Sequence, residues 1–237
     1  MNQQSALAKT AARLSNAGKE YPTGDTTIVA LQPTTVAFNK GEVTLVVGPS
    51  GSGKTTLLSL LGCVIYPTGG KVWVGDTCVN ELSETQLATL RLRQIGFVFQ
   101  GFNLLSPLNA LENVMQPLIL QGVHRKEARK KALDLIRTFN MEDRAYSLPR
   151  NLSGGQQQRI AVARSLISDP RLILCDEPTA SLDHHSARQV MDMLSRLARD
   201  DRAVIIVTHD MRLKKYADRT IYVSEGTIRE SDPGEEF

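Results

Sequence analysis

Short, continuous runs of apolar residues alternate with helical patterns along much of the chain. The runs "EVTLVVG" (residues 42–48), "LILC" (172–175) and "AVIIV" (203–207) have the length of buried strands. A helical pattern, "KTTLLSLLGCVI" at residues 54–65, follows the first run, and another over about residues 186–199 separates the other two. Buried strands that alternate with helices predict a largely parallel sheet that is covered on both faces.

The middle of the chain has a different pattern. Residues 84–163 are mostly helical by periodicity, with breaks near residues 100–108 and 146–155. Before this part, "KVWVGDTCV" predicts two short strands around a Gly-Asp turn, and a short final hairpin is predicted near residues 222–228. The helical middle is therefore predicted to be an inserted subdomain.

Composition narrows the class of protein. The 237 residues are 41% hydrophobic, which fits a folded globular chain, and the net charge of +3 is too small to favour nucleic acid as the main partner. No apolar run has the length of a bilayer span, and the N-terminal "MNQQSALAKTAARLS" lacks the apolar core of a signal peptide. A soluble, cytosolic protein is expected. Cys63, Cys78 and Cys175 form no CxxC pair and are predicted to be buried, without a metal or a disulfide.

"GPSGSGKT" matches the phosphate-binding Walker A pattern in full, with Gly48, Gly53, Lys54 and Thr55 at the defining positions. Consecutive backbone N–H groups would surround the β-phosphate, Lys54 would neutralise β- and γ-oxygens, and the Thr55 hydroxyl would reach Mg²⁺. A plain Gly/Ser turn is the alternative. The predicted strand before the motif and the predicted helix after it favour the nucleotide loop.

Further polar residues follow the later apolar runs. In "LILCDEP", Asp176 falls at the carboxyl end of a strand, where α/β sheets bind ligands, and would complete the Mg²⁺ shell beside Thr55. Glu177 is placed to orient or deprotonate an attacking water. "VTHD" ends the next strand, so that Thr208 and His209 emerge at the same edge, where an imidazole can contact a γ-phosphate. The alternatives are a solvated loop for the acidic pair and an ordinary strand-end residue for His209.

Two other residues give weaker signals. Gln100 follows the apolar "IGFVF" and precedes a loop, so that it either contacts Mg²⁺ or water or simply marks a helix–strand junction. Tyr21, in "KEYPTG", precedes a turn and could stack on a flat ring.

A second phosphate-binding pattern is unexpected in a chain of this size. In "NLSGGQQQRIAVA", residues 151–163, a serine and two glycines precede a helical run. A chain presents backbone N–H groups to an anion in this way. Because the Walker A loop already supplies one complete phosphate site, the residues alone leave the need for a second one unexplained.

Together these motifs resemble those of the ATP-binding subunits of ABC transporters, and the resemblance covers residues 13–229. "LSGGQQQR" is similar to the signature motif of that family and lies between the Walker A and Walker B motifs, as the family requires. The resemblance implies an α/β fold: a P-loop NTPase (RecA-like) core with a mostly parallel sheet, an N-terminal antiparallel β part and an inserted α-helical subdomain. It implies a single ABC ATPase domain at 11–237, with the catalytic core in 11–87 and 164–237, the helical signature subdomain in 88–163 and a flexible tail at 1–10.

In this family two subunits pack head to tail, and the Walker A loop of one and the signature of the other close over the same ATP. That arrangement would explain the second anion site. By resemblance, Tyr21 would stack on adenine, Gln100 would link nucleotide state to the membrane subunit, and His209 would be the switch histidine. The implied sets are Glu177, His209, Lys54 and Gln100 for catalysis; Tyr21, Gly48, Pro49, Ser50, Gly51, Ser52, Gly53, Lys54, Thr55 and Thr56 for ATP; Ser153, Gly154, Gly155, Gln156 and Asp183 for the partner's ATP; and Thr55, Gln100 and Asp176 for Mg²⁺.

Within the family, "FVFQGFNLLSPLNALENV" and "GPSGSGKTTLL" are most similar to the lipoprotein-release, macrolide-efflux and cell-division ATPases, and to those of cyanobacterial glycolipid-type exporters. This likeness implies a Mg²⁺-dependent ATPase that forms a homodimer on ATP and drives a separate membrane permease in export. It implies a peripheral position on the cytoplasmic face of the inner membrane. A periplasmic adaptor and an outer-membrane channel commonly accompany such permeases, and no nucleic-acid partner is expected.

Other interpretations stay open. An importer ATPase would use the same nucleotide chemistry. A non-transport ABC ATPase of DNA repair or chromosome organisation would carry long coiled coils or zinc modules before the signature, and the sequence has neither. A cell-division scaffold that binds ATP without turnover fits poorly with intact Glu177 and His209. The basic run "HRKEARKK" is interpreted as a solvated helix face, with an acidic lipid or partner as the alternative. The transported substrate cannot be predicted, because its contacts belong to the membrane subunit.

Overall fold

The computed structural model describes residues 9–230; residues 1–8 of the predicted tail and 231–237 of the predicted domain lie outside the described part. The strands are β1 (Thr10–Thr23), β2 (Thr26–Asn39), β3 (Val43–Val47), β4 (Gly69–Val74), β5 (Thr77–Cys78), β6 (Ile95–Phe99), β7 (Leu172–Asp176), β8 (Ala203–Thr208), β9 (Arg219–Ser224) and β10 (Thr227–Arg229). The α-helices are α1 (Lys54–Leu61), α2 (Glu84–Gln94), α3 (Ala110–Leu120), α4 (Arg125–Thr138), α5 (Gly154–Leu166) and α6 (His184–Arg199).

The larger sheet has the strand order β10-β9-β3-β8-β7-β6. Neighbouring strands from β9 to β6 pair in parallel, and β10 is antiparallel to β9. The predicted fold class, with a mostly parallel sheet, is therefore confirmed. Because parallel strands end at the same edge, the residues that follow β3, β6, β7 and β8 meet there.

Alternate residues of the parallel strands belong to two different hydrophobic cores. In β3, Leu45 and Val47 join the core that includes residues of α3 to α6, and Val46 joins the core that includes α1 and the smaller sheet. In β8, Ile206 belongs to the first core and Ile205 to the second. Burial on both faces explains why these strands appear in the sequence as unbroken apolar runs.

The smaller sheet, in the order β2-β1-β4-β5, is antiparallel throughout. It contains the predicted N-terminal antiparallel part and the two short strands predicted around the Gly-Asp turn. Leu14 of β1 and Phe38 of β2 are buried in the core shared with α1. The sheet therefore supports the loop that precedes α1 from one side.

The helical part of the molecule begins later than predicted. β6 lies inside the range 88–163 that was assigned to the helical subdomain, yet it pairs in parallel with β7, and its Ile95 and Val98 are buried. Residues 95–99 therefore belong to the core sheet, and the predicted boundary at residue 88 is wrong. Five residues directly after a helix are too few for periodicity to separate a strand from more helix.

Helices α3, α4 and α5 pack on one another and on the first core. On α4, Ala128, Ala132 and Ile136 are buried and the basic side chains of its first turns are exposed, as the pattern predicts. The three cysteines are buried free thiols. None of the helices within residues 9–230 combines the length and the hydrophobicity that a bilayer span requires.

Candidate nucleotide-binding site

The loop between β3 and α1 holds the Walker A residues against two neighbouring strands. A Cβ atom on Gly48 would lie 2.0 Å from the carbonyl oxygen of Val223 in β9, and one on Gly53 would lie 2.4 Å from that of Ala30 in β2. Gly53 also has a φ of +108°, a conformation that other residues rarely adopt. A side chain at either position would displace the loop.

The hairpin of β9 and β10 supports the same loop. The N–H group of Gly226, in the hairpin turn, donates to the carbonyl oxygen of Ser52 (2.8 Å), and the Gly226 carbonyl oxygen accepts from the N–H of Gln32 in β2 (2.9 Å). Ser52 is buried, whereas residues 49–51 at the tip of the loop are exposed. The base of the loop is therefore fixed, and its tip faces solvent.

Lys54, the first residue of α1, folds its side chain back onto the loop. Its Nζ atom donates to the carbonyl oxygens of Gly48 (2.9 Å) and Pro49 (2.6 Å). Burial lowers the pKa of Lys54, while the negative charges of Glu177 and Asp176 oppose that shift. The amine is thus in electrostatic contact with both carboxylates of the predicted site.

The N-terminus of α1 is built to receive an anion. Within the described residues no side chain caps the helix at Gly53. The first helical hydrogen bond runs from Leu57 to Gly53, so that the N–H groups of Lys54, Thr55 and Thr56 have no acceptor inside the helix. Thr55 is exposed and Thr56 half-buried. Such a helix end binds phosphate.

Asp176 stands half-buried at the end of β7, between Phe99 of β6 and Val207 of β8. Burial and the nearby charge of Glu177 raise the pKa of Asp176, and Lys54 acts in the opposite direction. Glu177 follows with a φ of +47°, which is unusual for a residue with a side chain. Its N–H group donates to the carbonyl oxygen of Val207 (2.9 Å).

The Glu177 carboxylate is bound by the end of the neighbouring strand. One oxygen accepts from the Thr208 hydroxyl (2.9 Å), and the other accepts from the backbone N–H of His209 (3.0 Å) and lies 2.6 Å from His209 Nδ1. Gln100, Glu177 and His209 line one cleft of about 1070 Å³. The structure therefore brings together the catalytic residues predicted from three different strand ends.

Gln100 is exposed directly after β6. The segment that follows is held by Arg164 of α5, whose guanidinium donates to the carbonyl oxygens of Phe102 (3.0 Å) and Asn103 (2.5 Å). Phe102 and Asn103 both have positive φ angles, so the chain turns sharply here. Sequence analysis missed Arg164, because the helical pattern alone does not show what its side chain contacts.

Asn113 on α3 was also missed. Its fully buried amide donates to the carbonyl oxygens of Leu105 (3.1 Å), Leu108 (2.9 Å) and Asn109 (3.0 Å) and accepts from the Leu105 N–H (2.7 Å). This one side chain fixes the loop before α3. An asparagine among the apolar positions of α3 is the signal that could have identified it.

Tyr21 lies near the end of β1, opposite Ile28 of β2, and is 40% exposed. The amine of Lys19 lies 5.1 Å from the centre of its ring. Ala30, which approaches Gly53 of the loop, is two residues from Ile28 on the same strand. The ring is therefore accessible and belongs to the part of the hairpin nearest the loop, in keeping with the predicted adenine contact.

The signature residues form the N-terminus of a different helix, α5. Ser153 is its N-cap: the Ser153 hydroxyl accepts from the Gln156 N–H (3.3 Å), and the Gln156 side chain accepts from the Ser153 N–H (2.9 Å). Ser153 is exposed, and Gly154 and Gly155 are half-buried. Within residues 9–230 no hydrogen bond joins residues 153–156 to the Walker A loop. The two anion-binding elements are separate in one chain.

Asp183 caps α6 beside the signature. Its carboxylate accepts from the N–H groups of His185 and Ser186 (both 3.0 Å) and from the Ser186 hydroxyl (2.6 Å), and these bonds lower the pKa of Asp183. A Cβ atom on Gly155 would lie 2.6 Å from the Ser186 hydroxyl oxygen. Asp183 therefore has a structural role in its own chain, and its predicted contact with the partner's ATP stays a prediction.

The family profile named "ABC transporter" matches residues 31–180. The chain belongs to the ABC transporter family. The predicted function class is thereby confirmed: the chain is the ATP-binding subunit of an ABC transporter and an ATPase. The roles assigned to individual residues stay predictions.

Two of the relatives that the chain matches differ in length. It is 40% identical over 225 residues to MJ0796, an ABC transporter ATP-binding protein of Methanocaldococcus jannaschii, which covers 93% of this chain and 96% of that protein. It is 41% identical over 215 residues to MacB of Bartonella henselae, a macrolide export ATP-binding/permease protein, which covers 91% of this chain but 33% of MacB. The chain thus spans about a third of the MacB relatives.

A solved structure gives the same family assignment from the fold. The dimeric post-hydrolysis structure of the MJ0796 cassette, described as bound to ADP and Pi, matches this ABC ATPase with a TM-score of 0.84 at 39% identity. The match covers 92% of this chain and 98% of that one. A likeness of this extent includes both sheets and the helical part.

Proposed function

We propose that this ABC ATPase binds Mg-ATP at the β3–α1 loop, hydrolyses it with Glu177 as general base, and works as a head-to-tail homodimer that drives an export permease. One observation carries the proposal: Lys54, Asp176, Glu177 and His209 meet at one edge of the parallel sheet. The negative charges of Glu177 and Asp176 favour the protonated form of Lys54, and a carboxylate oxygen of Glu177 lies 2.6 Å from His209 Nδ1. Phosphoryl transfer to water needs groups of these kinds in one site.

ATP binding follows from the loop and the helix end. The uncapped N–H groups of α1 and those of the exposed loop tip would donate to phosphate oxygens. Lys54 would exchange its bonds with the carbonyls of Gly48 and Pro49 for phosphate oxygens, which carry full negative charge. Tyr21, accessible near the loop, would stack on the adenine ring.

The side chains at the site fit magnesium. Thr55, Asp176 and Gln100 offer a hydroxyl, a carboxylate and an amide oxygen, the hard ligands that Mg²⁺ prefers. The raised pKa of Asp176, which comes from burial beside another carboxylate, indicates a position where a cation would be favourable. When bound, Mg²⁺ would neutralise part of the charge on the β- and γ-phosphates. Asp176 and Thr55 would hold it there.

Hydrolysis would then depend on Glu177. In the reaction a water oxygen bonds to the γ-phosphorus, the bond from that phosphorus to the β–γ bridging oxygen breaks, and ADP leaves with the electron pair. Glu177 would orient the water and take its proton, and His209 would contact the γ-phosphate. Thr208 and His209 already hold the carboxylate at the end of β8, which reduces the reorganisation that the reaction requires.

The second copy would supply the signature. Ser153, Gly154, Gly155, Gln156 and Asp183 of one protomer would face the γ-phosphate bound by its partner, so that a two-fold dimer completes two identical sites. Two facts support this arrangement: the signature is separate from the Walker A loop within the chain, and the related MJ0796 cassette is described as dimeric.

A membrane permease would dock on the groove between α2, β6 and α5. The groove has a volume of about 400 Å³, and Arg91, Phe97, Phe99, Pro117 and Arg164 are among its lining residues. The likeness to MacB, named as a macrolide export ATP-binding/permease protein, supports export through a permease. We place the subunit on the cytoplasmic face of the membrane, with a periplasmic adaptor and an outer-membrane channel beyond the permease.

The proposal is tested by purifying the tagged chain from its native membranes in mild detergent, identifying its companions and assaying Mg²⁺-dependent ATPase activity. A permease with few spanning helices and a large extracytoplasmic domain is expected. A permease with a solute-binding protein would make the chain an importer subunit. Recovery without a membrane protein, but with full ATPase activity, would overturn the transport assignment.

A further inference from the structure

A fully buried glutamine connects the signature helix to the catalytic loop of the same chain. The Nε2 atom of Gln158, in α5, donates to the carbonyl oxygen of Pro178 at 2.8 Å. Pro178 follows Glu177 directly, although twenty residues separate it from Gln158 in sequence. A buried carbonyl group needs a hydrogen-bond donor, and Gln158 supplies one from a different element.

The position of this bond matters because Glu177 has an unfavourable backbone conformation. Its φ of +47° is rare for a residue with a Cβ atom, and such a conformation persists when the surroundings hold it from several sides. The N–H of Glu177 is held by Val207 at 2.9 Å, and its carbonyl oxygen accepts from Ala180 at 3.2 Å. Gln158 holds the next peptide group along the chain.

The amide has the features of a specific tether rather than of a space-filling side chain. Among the described residues, the Gln158 Oε1 atom accepts no hydrogen bond although it is buried. An apolar side chain of the same volume would fill this space without leaving a polar atom unpaired. An apolar side chain would, however, lack the N–H group that donates to the Pro178 carbonyl oxygen.

Gln158 lies at the same end of α5 as the residues of the signature that would face phosphate. It follows Ser153, the N-cap, by little more than one helical turn. Gly155 also packs within contact distance of Ser186, so this end of α5 is closely fitted to the start of α6. A shift of the signature would therefore reach Pro178 without any flexible segment between them.

We infer that Gln158 is a positioning residue for ATP hydrolysis: its bond to Pro178 keeps Glu177 aligned and links the signature, which serves the partner's ATP, to the catalytic loop that serves the chain's own. This inference rests on the proposed function. The bond acts on the rate of the chemical step and leaves Lys54 and the rest of the Walker A loop in place.

The test compares Gln158→Met, which keeps volume and removes the donor, with Gln158→Glu, which keeps shape and turns an acceptor toward Pro178. We expect kcat for ATP to fall by roughly tenfold or more in both variants and KM to change by less than about threefold. The control is Gln121→Met, which removes bonds from a half-buried glutamine to Leu92 and Ser168 on the same part of the molecule. Its kcat should equal that of the wild type.

A second measurement separates positioning from folding. In a Glu177→Gln background, Gln158→Met should still form the ATP-dependent dimer, because the Walker A loop and residues 153–156 of the signature are unchanged. Loss of that dimer, wild-type kcat in Gln158→Met, or insolubility of both Gln158 variants would overturn the inference. If the wild-type chain itself hydrolyses no ATP, the proposed function fails instead, which the same assay reveals.

Discussion

The Walker A loop and the signature are both helix N-termini suited to phosphate, but they are built in opposite ways. At the Walker A loop, α1 starts from a left-handed glycine without a side-chain cap, and Lys54 is buried against the loop's own carbonyls. At the signature, α5 has a complete capping box in which Ser153 and Gln156 bond each other, and Ser153 is exposed. The N-terminus of α1, here called the open end, is uncapped and carries a lysine. The N-terminus of α5, here called the closed end, is capped by neutral side chains.

Under the proposed function, this difference follows from the nucleotide that each helix end would serve. The Walker A loop would bind ATP within its own chain, so uncapped N–H groups and a lysine can be fixed there in advance. The signature would meet ATP carried by another protomer, and before that an uncapped helix end would cost stability in water-exposed surroundings. Its capping box supplies that stability, and the Ser153 hydroxyl, which accepts from the Gln156 N–H at 3.3 Å, still has its own proton to donate to a phosphate oxygen.

The largest effect is expected from Glu177→Gln, which leaves the Walker A loop and the signature intact and removes the proposed general base. ATP hydrolysis should fall by about 10²- to 10⁴-fold, while ATP binding persists. Because unhydrolysed ATP would stay bound between the Walker A loop of one protomer and the signature of its partner, the protein should elute as a dimer in ATP and as a monomer without it. Glu142→Gln, in a surface ion pair with Arg137, is the control and should match the wild type. A variant that hydrolyses at the wild-type rate would remove Glu177 from its role.

Lys54→Ala tests the open end. It removes a charge-assisted contact of about 1.5–3 kcal/mol, so that the Kd for ATP should rise by roughly 10- to 150-fold in equilibrium binding to the monomer. The control is Lys71→Ala, an exposed lysine that pairs with Glu81. Unchanged ATP affinity in Lys54→Ala would show that the loop binds phosphate through its N–H groups alone.

Ser153→Ala tests the closed end, and Ser83→Ala is its matched control, since Ser83 and Gln86 form the same capping box on α2. Each variant should lower the free energy of unfolding by about 1 kcal/mol in denaturant titrations. ATPase activity should fall in Ser153→Ala alone, by roughly tenfold, with ATP binding to the monomer unchanged. Equal activities in the two variants would make Ser153 a cap and nothing more.

Sequence alone could predict the Walker A loop and the signature, because each is a run of consecutive residues whose backbone N–H groups are expected to bind phosphate. Residues 48–55 and 152–159 carry their glycines, lysine and serine at fixed spacing, and the apolar runs placed Asp176 and His209 at strand ends. The side-chain contacts that hold the neighbouring loops could not be predicted. Gln158, Arg164 and Asn113 act through side-chain bonds to backbone carbonyls, several of them distant in sequence, and those contacts exist once the helices have packed.

The smallest effect on hydrolysis is expected from Leu105→Glu, which lies in the loop before α3 and outside both the Walker A loop and the signature. Leu105 is 47% exposed on the loop that Arg164 and Asn113 hold, and a charge there should disturb a permease contact without reaching the nucleotide. Transport in reconstituted vesicles should be lost while basal ATPase activity stays within about twofold of the wild type, because exposed substitutions rarely cost much stability. Phe102→Glu, on the same loop, should uncouple in the same way, and Tyr146→Glu, an exposed aromatic on a different loop, should affect neither activity. Parallel loss of transport and ATPase activity in Leu105→Glu would point to a folding defect and would contradict a role confined to the permease contact.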